Sequence, residues 1–204
     1  VGYKTTLRAD RHEDLRQELT SWGKLAPDRL DARGHQKELE RWVFNRFLRA
    51  IVPTGEFEFP IIVQEGENPD FFFSAGQARL GIEVTEAVDP EEQAQWTQEA
   101  RDARTSKELI VRGMDIDTPG RSQMAHTAVR SAHTRKIAQC SPATDALLMY
   151  LNTSATLFED AQNVLSWLDG AIPRNTRFQR VWVLDEKDLF ELKSGSHVAS
   201  LETK

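Results

Sequence analysis

Residues 145–152 read DALLMYLN, a near-continuous apolar run too short for a long helix and without the polar alternation of a half-solvated strand. A strand of this kind is buried on both faces, which places it inside a sheet covered by helices on each side. Phe178–Asp185 repeats the pattern (FQRVWVLD). These two runs restrict the chain to an α/β architecture around a mixed sheet. With 39% hydrophobic and 28% charged residues over 204 positions, composition argues against collagen-like, low-complexity or wholly disordered classes. No 18 apolar residues run together, so no membrane partner is expected, and the N-terminal stretch lacks the apolar core of a secretory signal. Cys140, the single cysteine, leaves no intramolecular disulfide and no Cys-rich zinc site. A reducing, cytoplasmic location is the expectation. The net charge of −6 runs against the usual balance of a nucleic-acid binder unless some carboxylates hold metal.

The remaining elements follow from periodicity and punctuation. Residues 1–34 suggest a helical extension with Leu7, Leu15, Leu19 and Trp22 as its apolar positions, stopped at Gly34. Gln36–Ile51 is strongly helical and ends before Pro53. Phe57–Gln64 reads as a strand. Asp70–Ser74 and Arg79–Ala87 form a hairpin around Gly76, and a long polar helix is expected from Glu91 to about Val111. A loop at Gly113–Arg121 is a candidate flap, and a second periodic helix covers Ser122–Cys140. Thr156–Glu159 reads as a capping box opening a helix that closes at Gly170. Asp188–Leu192 is a short edge strand before a loosely ordered tail. One domain over 1–204 is expected, with residues 153–204 adding a helix and strands.

Three polar residues or pairs fall on otherwise apolar faces. At 100° per residue, Glu40 lies within about 40° of Phe44, Phe47 and Ile51, whereas Glu38 points the opposite way with Asn45 and Arg49. Glu40 either reaches solvent from the first turn or enters a polar cleft. Strand alternation groups Gly81, Glu83 and Thr85, and hairpin closure brings Asp70 towards Glu83. Two such acids are ordinary surface charges, or they converge and need a cation, a shared proton or a basic partner. Hard divalent ions prefer oxygen ligands of this type. Lys136 shares a face with Ala125, Val129, Ala132 and Cys140, with His133 and Ile137 alongside. It either snorkels or points at negative charge.

Together, Glu40, Pro69-Asp70, Glu83-Val84-Thr85, and Lys136 before DALLMYLN resemble the PD-(D/E)XK nuclease superfamily across residues 36–152. The resemblance implies a restriction-endonuclease-like mixed sheet flanked by helices, with an αβββαβ core. It implies a metal-dependent endonuclease or exonuclease, with Asp70 and Glu83 holding Mg²⁺ or Mn²⁺. The Val84 carbonyl and Glu40 would add further metal contacts. Thr85 stands where the family carries its lysine; Lys136 is the replacement candidate, since Thr85 can hold a water but supplies no charge. DNA rather than RNA is the implied nucleic acid, and a homodimer is allowed. The alternative is a non-catalytic binding or assembly protein on the same fold. Basic residues available to a nucleic-acid backbone are Arg101, Arg104, Lys107, Arg112, Arg121, Arg130 and Arg135. The five histidines show no chelating spacing; His12, His35 and His197 are expected to be exposed, and His133 to be structural. Cys140 reads as core packing. Neither a Gly-rich phosphate loop nor a G-x-S-x-G elbow is present.

Overall fold

The structure, a computed structural model, describes residues 4–23, 35–95, 97–98 and 120–201. These form an eight-stranded mixed sheet in sequential order, β1 (Lys4–Ala9), β2 (Ile61–Glu65), β3 (Phe71–Ala75), β4 (Ala78–Ala87), β5 (Ala146–Leu151), β6 (Arg180–Leu184), β7 (Asp188–Glu191) and β8 (Ser196–Ser200). β1 to β4 run as an antiparallel meander, β4, β5 and β6 are parallel, and β6 to β8 are antiparallel again. The described helices are α1 (His12–Leu19), α2 (Gln36–Ile51), α3 (Arg121–Gln139) and α4 (Ala161–Leu168). A helical segment also begins at residue 90.

All six residues of β5 are buried, as its apolar run requires. Alternate residues divide between two cores. On one face, Ala146, Leu148 and Tyr150 join Ile82, Val84, Phe71, Phe73 and Trp182 beneath α1 and α2. On the other, Leu147, Met149 and Leu151 join Val181, Val183 and Phe178 beneath α3 and α4. The stripe of α2 packs as its periodicity dictates: Phe44 stacks on Phe71 at 4.3 Å between centroids, and Phe47 tilts against Trp182 at 4.8 Å. α3 covers its face with Ala125, Ala128, Val129 and Ala132, side chains small enough for close approach to the sheet.

Several expected boundaries change. Lys4–Ala9 is a strand rather than part of a helical extension, and Leu7 enters the core from it. The strand expected over 57–64 starts only at Ile61. The tail forms β8, so β7 is no longer an edge. Thr156 ends a short 3₁₀ turn, Ser154–Thr156, and the following helix is capped by Asp160, whose side chain accepts from the Asn163 amide. Most of the expected polar helix and of the Gly113–Arg121 loop lies outside the described residues.

The face of α2 that carries Asn45 and Arg49 is covered by the end of α1. Asn45 is buried, and its amide donates to Leu19 O at 2.9 Å and to Trp22 O, while Arg49 donates to Leu19 O at 2.6 Å. These side chains satisfy carbonyls that the end of a helix leaves open. Asn45→Ala removes the donor to Trp22 O and the acceptor of the Arg49 Nε–H, and a loss of about 1–3 kcal/mol is expected in urea denaturation. Exposed Glu38→Ala should stay within about 0.5 kcal/mol of the wild type.

Candidate acidic site

β3 begins at Phe71, paired with Ile82, so continuing the register by one residue sets Asp70 opposite Glu83. Cross-strand partners project from the same face. Both acids are buried, and the Asp70 charge acts on Glu83 strongly enough to be the largest influence after burial itself. Asp70 Oδ2 accepts from the Val84 amide at 3.0 Å, which fixes the carboxylate at the strand start. The contact tying Val84 to the site is thus made by its amide.

Glu40 reaches the same place from α2, on the other side of the sheet. It is buried, whereas Glu38 is exposed and pairs with His35 at 3.1 Å. Gln36 donates to Glu40 Oε1 at 2.9 Å. Lys37, one turn before Glu40, links the two acids: its Nζ lies 2.8 Å from Glu40 Oε2 and donates to Asp70 Oδ1 at 3.0 Å and Gly66 O at 3.0 Å. From the opposite layer, Lys136 on α3 donates to Glu83 Oε1 at 2.7 Å. Glu40, Asp70, Glu83 and Lys136 are therefore brought together.

Thr85 is buried beside them, but its hydroxyl accepts from Arg135 at 3.0 Å, and the same guanidinium donates to Glu86 O at 3.1 Å. Arg135 is exposed, as expected of a basic residue on that helix face, and its long stem also carries the guanidinium back to the sheet. Lys37 was not read as a site residue, although its i,i+3 relation to Glu40 was a readable signal. Arg121 pairs with Glu159 at 2.7 Å, and Arg130 is exposed; Arg101, Arg104, Lys107 and Arg112 lie outside the described residues.

Burial, then the charge of Asp70, raises the Glu40 carboxyl to about 7 despite Lys37. The same two causes raise Glu83 despite Lys136. Burial opposes the Lys37 charge, but its contacts with Glu40 and Asp70 outweigh that and raise its pKa. One ammonium shared by two acids is held firmly charged, while Glu40 stays easy to protonate.

Could these residues hold a divalent ion? Among the described residues, no three or more His, Cys, Asp or Glu side chains form a group that could hold a metal ion. Mg²⁺, however, commonly takes only one or two carboxylates plus water. Glu83 Oε2 is buried without a hydrogen-bond partner, an orphan that a cation between Glu83 and Asp70 would satisfy. The donor set fits an ion at that pair.

The other candidates are structural. His133 is buried, lies 2.7 Å from Thr176 Oγ1 and has its pKa lowered by burial. Ile137, expected alongside the Lys136 face, is exposed. Burial, then Glu83, raises the Cys140 thiol, away from reactivity. His197 is half-buried rather than exposed, in a cluster with Asp188 (3.0 Å) and Ser200 (3.4 Å). A Ser-His-Asp relay needs the acid on one ring nitrogen and the hydroxyl on the other. Here both approach Nε2, and Ser200 donates to Asp188 at 2.6 Å, so the cluster fastens β8 to β7.

No protein-family model, curated protein or solved structure matches the chain. Among the described residues, no helix is long and apolar enough to cross a membrane.

A carboxyl whose folded pKa is raised stabilises fully below its unfolded value and loses that contribution as pH rises through the folded value. For Glu40 that window runs from about 4.5 to about 7. In metal-free buffer, the urea midpoint should fall across this window. Glu40→Gln should flatten the fall, and carboxyl NMR should show Glu40 titrating near 7. An unchanged slope in the variant would contradict the burial argument.

Proposed function

We propose that the chain is a metal-dependent nuclease that hydrolyses phosphodiester bonds, with DNA as its substrate class. The observation that carries this reading is the meeting of Glu40, Asp70, Glu83 and Lys136 from α2, the start of β3, β4 and α3. The succession α2-β2-β3-β4-α3-β5, with β4 and β5 parallel, is the element order expected of a restriction-endonuclease-like core and supports the reading. The preference for DNA rests on the sequence resemblance.

In this reading Asp70 and Glu83 hold Mg²⁺ or Mn²⁺, with the Val84 carbonyl as a further oxygen. When bound, the ion supplies positive charge at the scissile phosphate and lowers the pKa of the attacking water. Asp70 is held for this role by the Val84 amide. Lys136 keeps its ammonium in a largely buried place beside Glu83, from which it turns to a phosphate oxygen or orients a water. Arg135 brings a second positive charge to Thr85, whose position lacks the family's lysine. Glu40, whose carboxyl is raised to about 7, is suited to hold or move a proton at the edge of the site.

One observation favours the second reading, a non-catalytic binding or assembly protein. Lys37 and Lys136 already pair with all three acids, so each acid has a basic partner without any ion. Cleavage assays on linear double-stranded DNA, single-stranded DNA and RNA with Mg²⁺ or Mn²⁺ separate the two. Asp70→Ala and Glu83→Ala should each lose more than about 100-fold in rate, beyond the usual effect of a residue that merely supports a ligand. Lys136→Met should lose cleavage while retaining Mn²⁺ binding. Absence of cleavage on every substrate would favour the second reading, and equal rates in wild type and variants would mark a contaminant.

A further inference from the structure

The two lysines of the cleft have unlike surroundings. Lys136 reaches one carboxylate oxygen, Glu83 Oε1. Lys37 Nζ faces three oxygens from three parts of the chain: Gly66 O and Asp70 Oδ1 through aligned hydrogen bonds, and Glu40 Oε2 as a close ion contact. Two of its three N–H donors are used in hydrogen bonds, and its charge lies 2.8 Å from Glu40 Oε2, a buried oxygen without a hydrogen-bond partner of its own. Two carboxylates and a backbone carbonyl are also the donors a hard divalent cation takes.

The oxygens are positioned independently of Lys37. The Gly66 amide donates to Asp70 O at 2.9 Å, closing the turn that carries both the Gly66 carbonyl and the Asp70 side chain. The Val84 amide holds Asp70 Oδ2, and Gln36 holds Glu40 Oε1. Across Asp70, Glu83 Oε2 is buried without a hydrogen-bond partner, on a residue only 8% exposed. The cleft therefore has two cation-seeking ends with Asp70 between them, and one end already has its cation.

We propose that the Lys37 ammonium is a built-in cation filling one of two cation positions in this cleft, so that the protein takes a single divalent ion, at the Asp70–Glu83 end. The inference rests on the metal-dependent reading and adds the number of ions and the residue that sets it. Removing the Lys37 charge opens the Glu40–Asp70–Gly66 position to a second ion. The two would share Asp70, as carboxylates do in two-metal sites with ions about 4 Å apart.

Mn²⁺ is the probe, with stoichiometry read by calorimetry or equilibrium dialysis and ion pairing by electron paramagnetic resonance. Wild type should bind one Mn²⁺ with an uncoupled spectrum and lose it in Glu83→Gln. Lys37→Met should bind two, with an exchange-coupled spectrum, and Lys37→Met/Glu40→Gln should return to one. Two ions in wild type overturn the proposal and leave the metal-dependent reading standing. One ion in both wild type and Lys37→Met also overturns it, as does retention of the wild-type ion in Glu83→Gln. No ion in either protein removes the proposal together with the metal-dependent reading. No ion in wild type but one in Lys37→Met overturns the single-ion proposal together with the metal-dependent reading, leaving only the occupancy of the Glu40–Asp70–Gly66 position by Lys37. If Lys37→Met does not fold without metal, Lys37→Gln takes its place, and two ions in wild type or retention of the ion in Glu83→Gln still overturns the proposal.

Discussion

Three carboxylates buried at one end of a sheet repel each other, and the cleft exists because cations reach them from both helical layers. Glu40 and Asp70 share Lys37 from α2; Glu83 has Lys136 from α3. A charge removed from water without such a partner costs several kcal/mol, more than most single contacts in a domain return. The helices are thus bound to the sheet by charge as well as by their apolar stripes. The raised pKa values of Glu40 and Glu83 show that compensation is incomplete: Asp70 still pushes on both neighbours. A site left in this condition favours added positive charge or a proton.

The late start of β3 makes the cleft accessible to both layers. β2 ends at Glu65 and β3 resumes at Phe71, and the turn between them carries Gly66 and Asp70. With no ladder continuing past Phe71, the Val84 amide turns to the Asp70 side chain instead. The first turn of α2 can therefore reach round the sheet to acids that project towards α3. Within an uninterrupted sheet, Lys37 and Asp70 would have been held apart by the thickness of the strands.

What the sequence made legible was what depends on local period. Helical arithmetic separated Glu40 from Glu38, strand parity aligned Asp70 with Glu83, and the small residues around Lys136 marked a face that approaches the sheet. The buried β5 and β6 were readable because burial on both faces leaves few polar positions. Strands β1 and β8, KTTLRA and SHVAS, were not readable, because an outer strand can pair by its backbone while carrying mostly polar side chains. Thr156 has the form of a helix start, but the helix is capped by Asp160, four residues later and four before the buried Val164, because packing of Val164 and Leu168 against the core sets where it begins. Lys37 and Arg135 escaped for a different reason. The i,i+3 spacing places Lys37 beside Glu40, but its reach to Asp70 and that of Arg135 to Thr85 depend on where a long, flexible side chain ends, which neither period nor propensity specifies.

The acids, the lysine helix and the strand end converge on one residue without a side chain. A Cβ on Gly81 would overlap the carbonyl of Ala143 and lie 3.0 Å from Pro69. Its absence lets the turn between α3 and β5 cross directly over β4. There Asp145 Oδ2 accepts from the Gly81 amide and the Asp145 amide donates to Gly81 O, both at 2.8 Å. The same turn donates from the Ser141 amide to Asn68 Oδ1 at 3.0 Å, just before Pro69 and Asp70. At its other end, the Cys140 amide closes the last turn of α3 on Lys136 O at 2.9 Å. The strand bearing Glu83, the turn bearing Asp70 and the helix bearing Lys136 are therefore positioned through shared backbone contacts around Gly81. Displacing that crossing would move all three together, so the geometry of the acidic cleft is a property of this junction rather than of any one of its side chains.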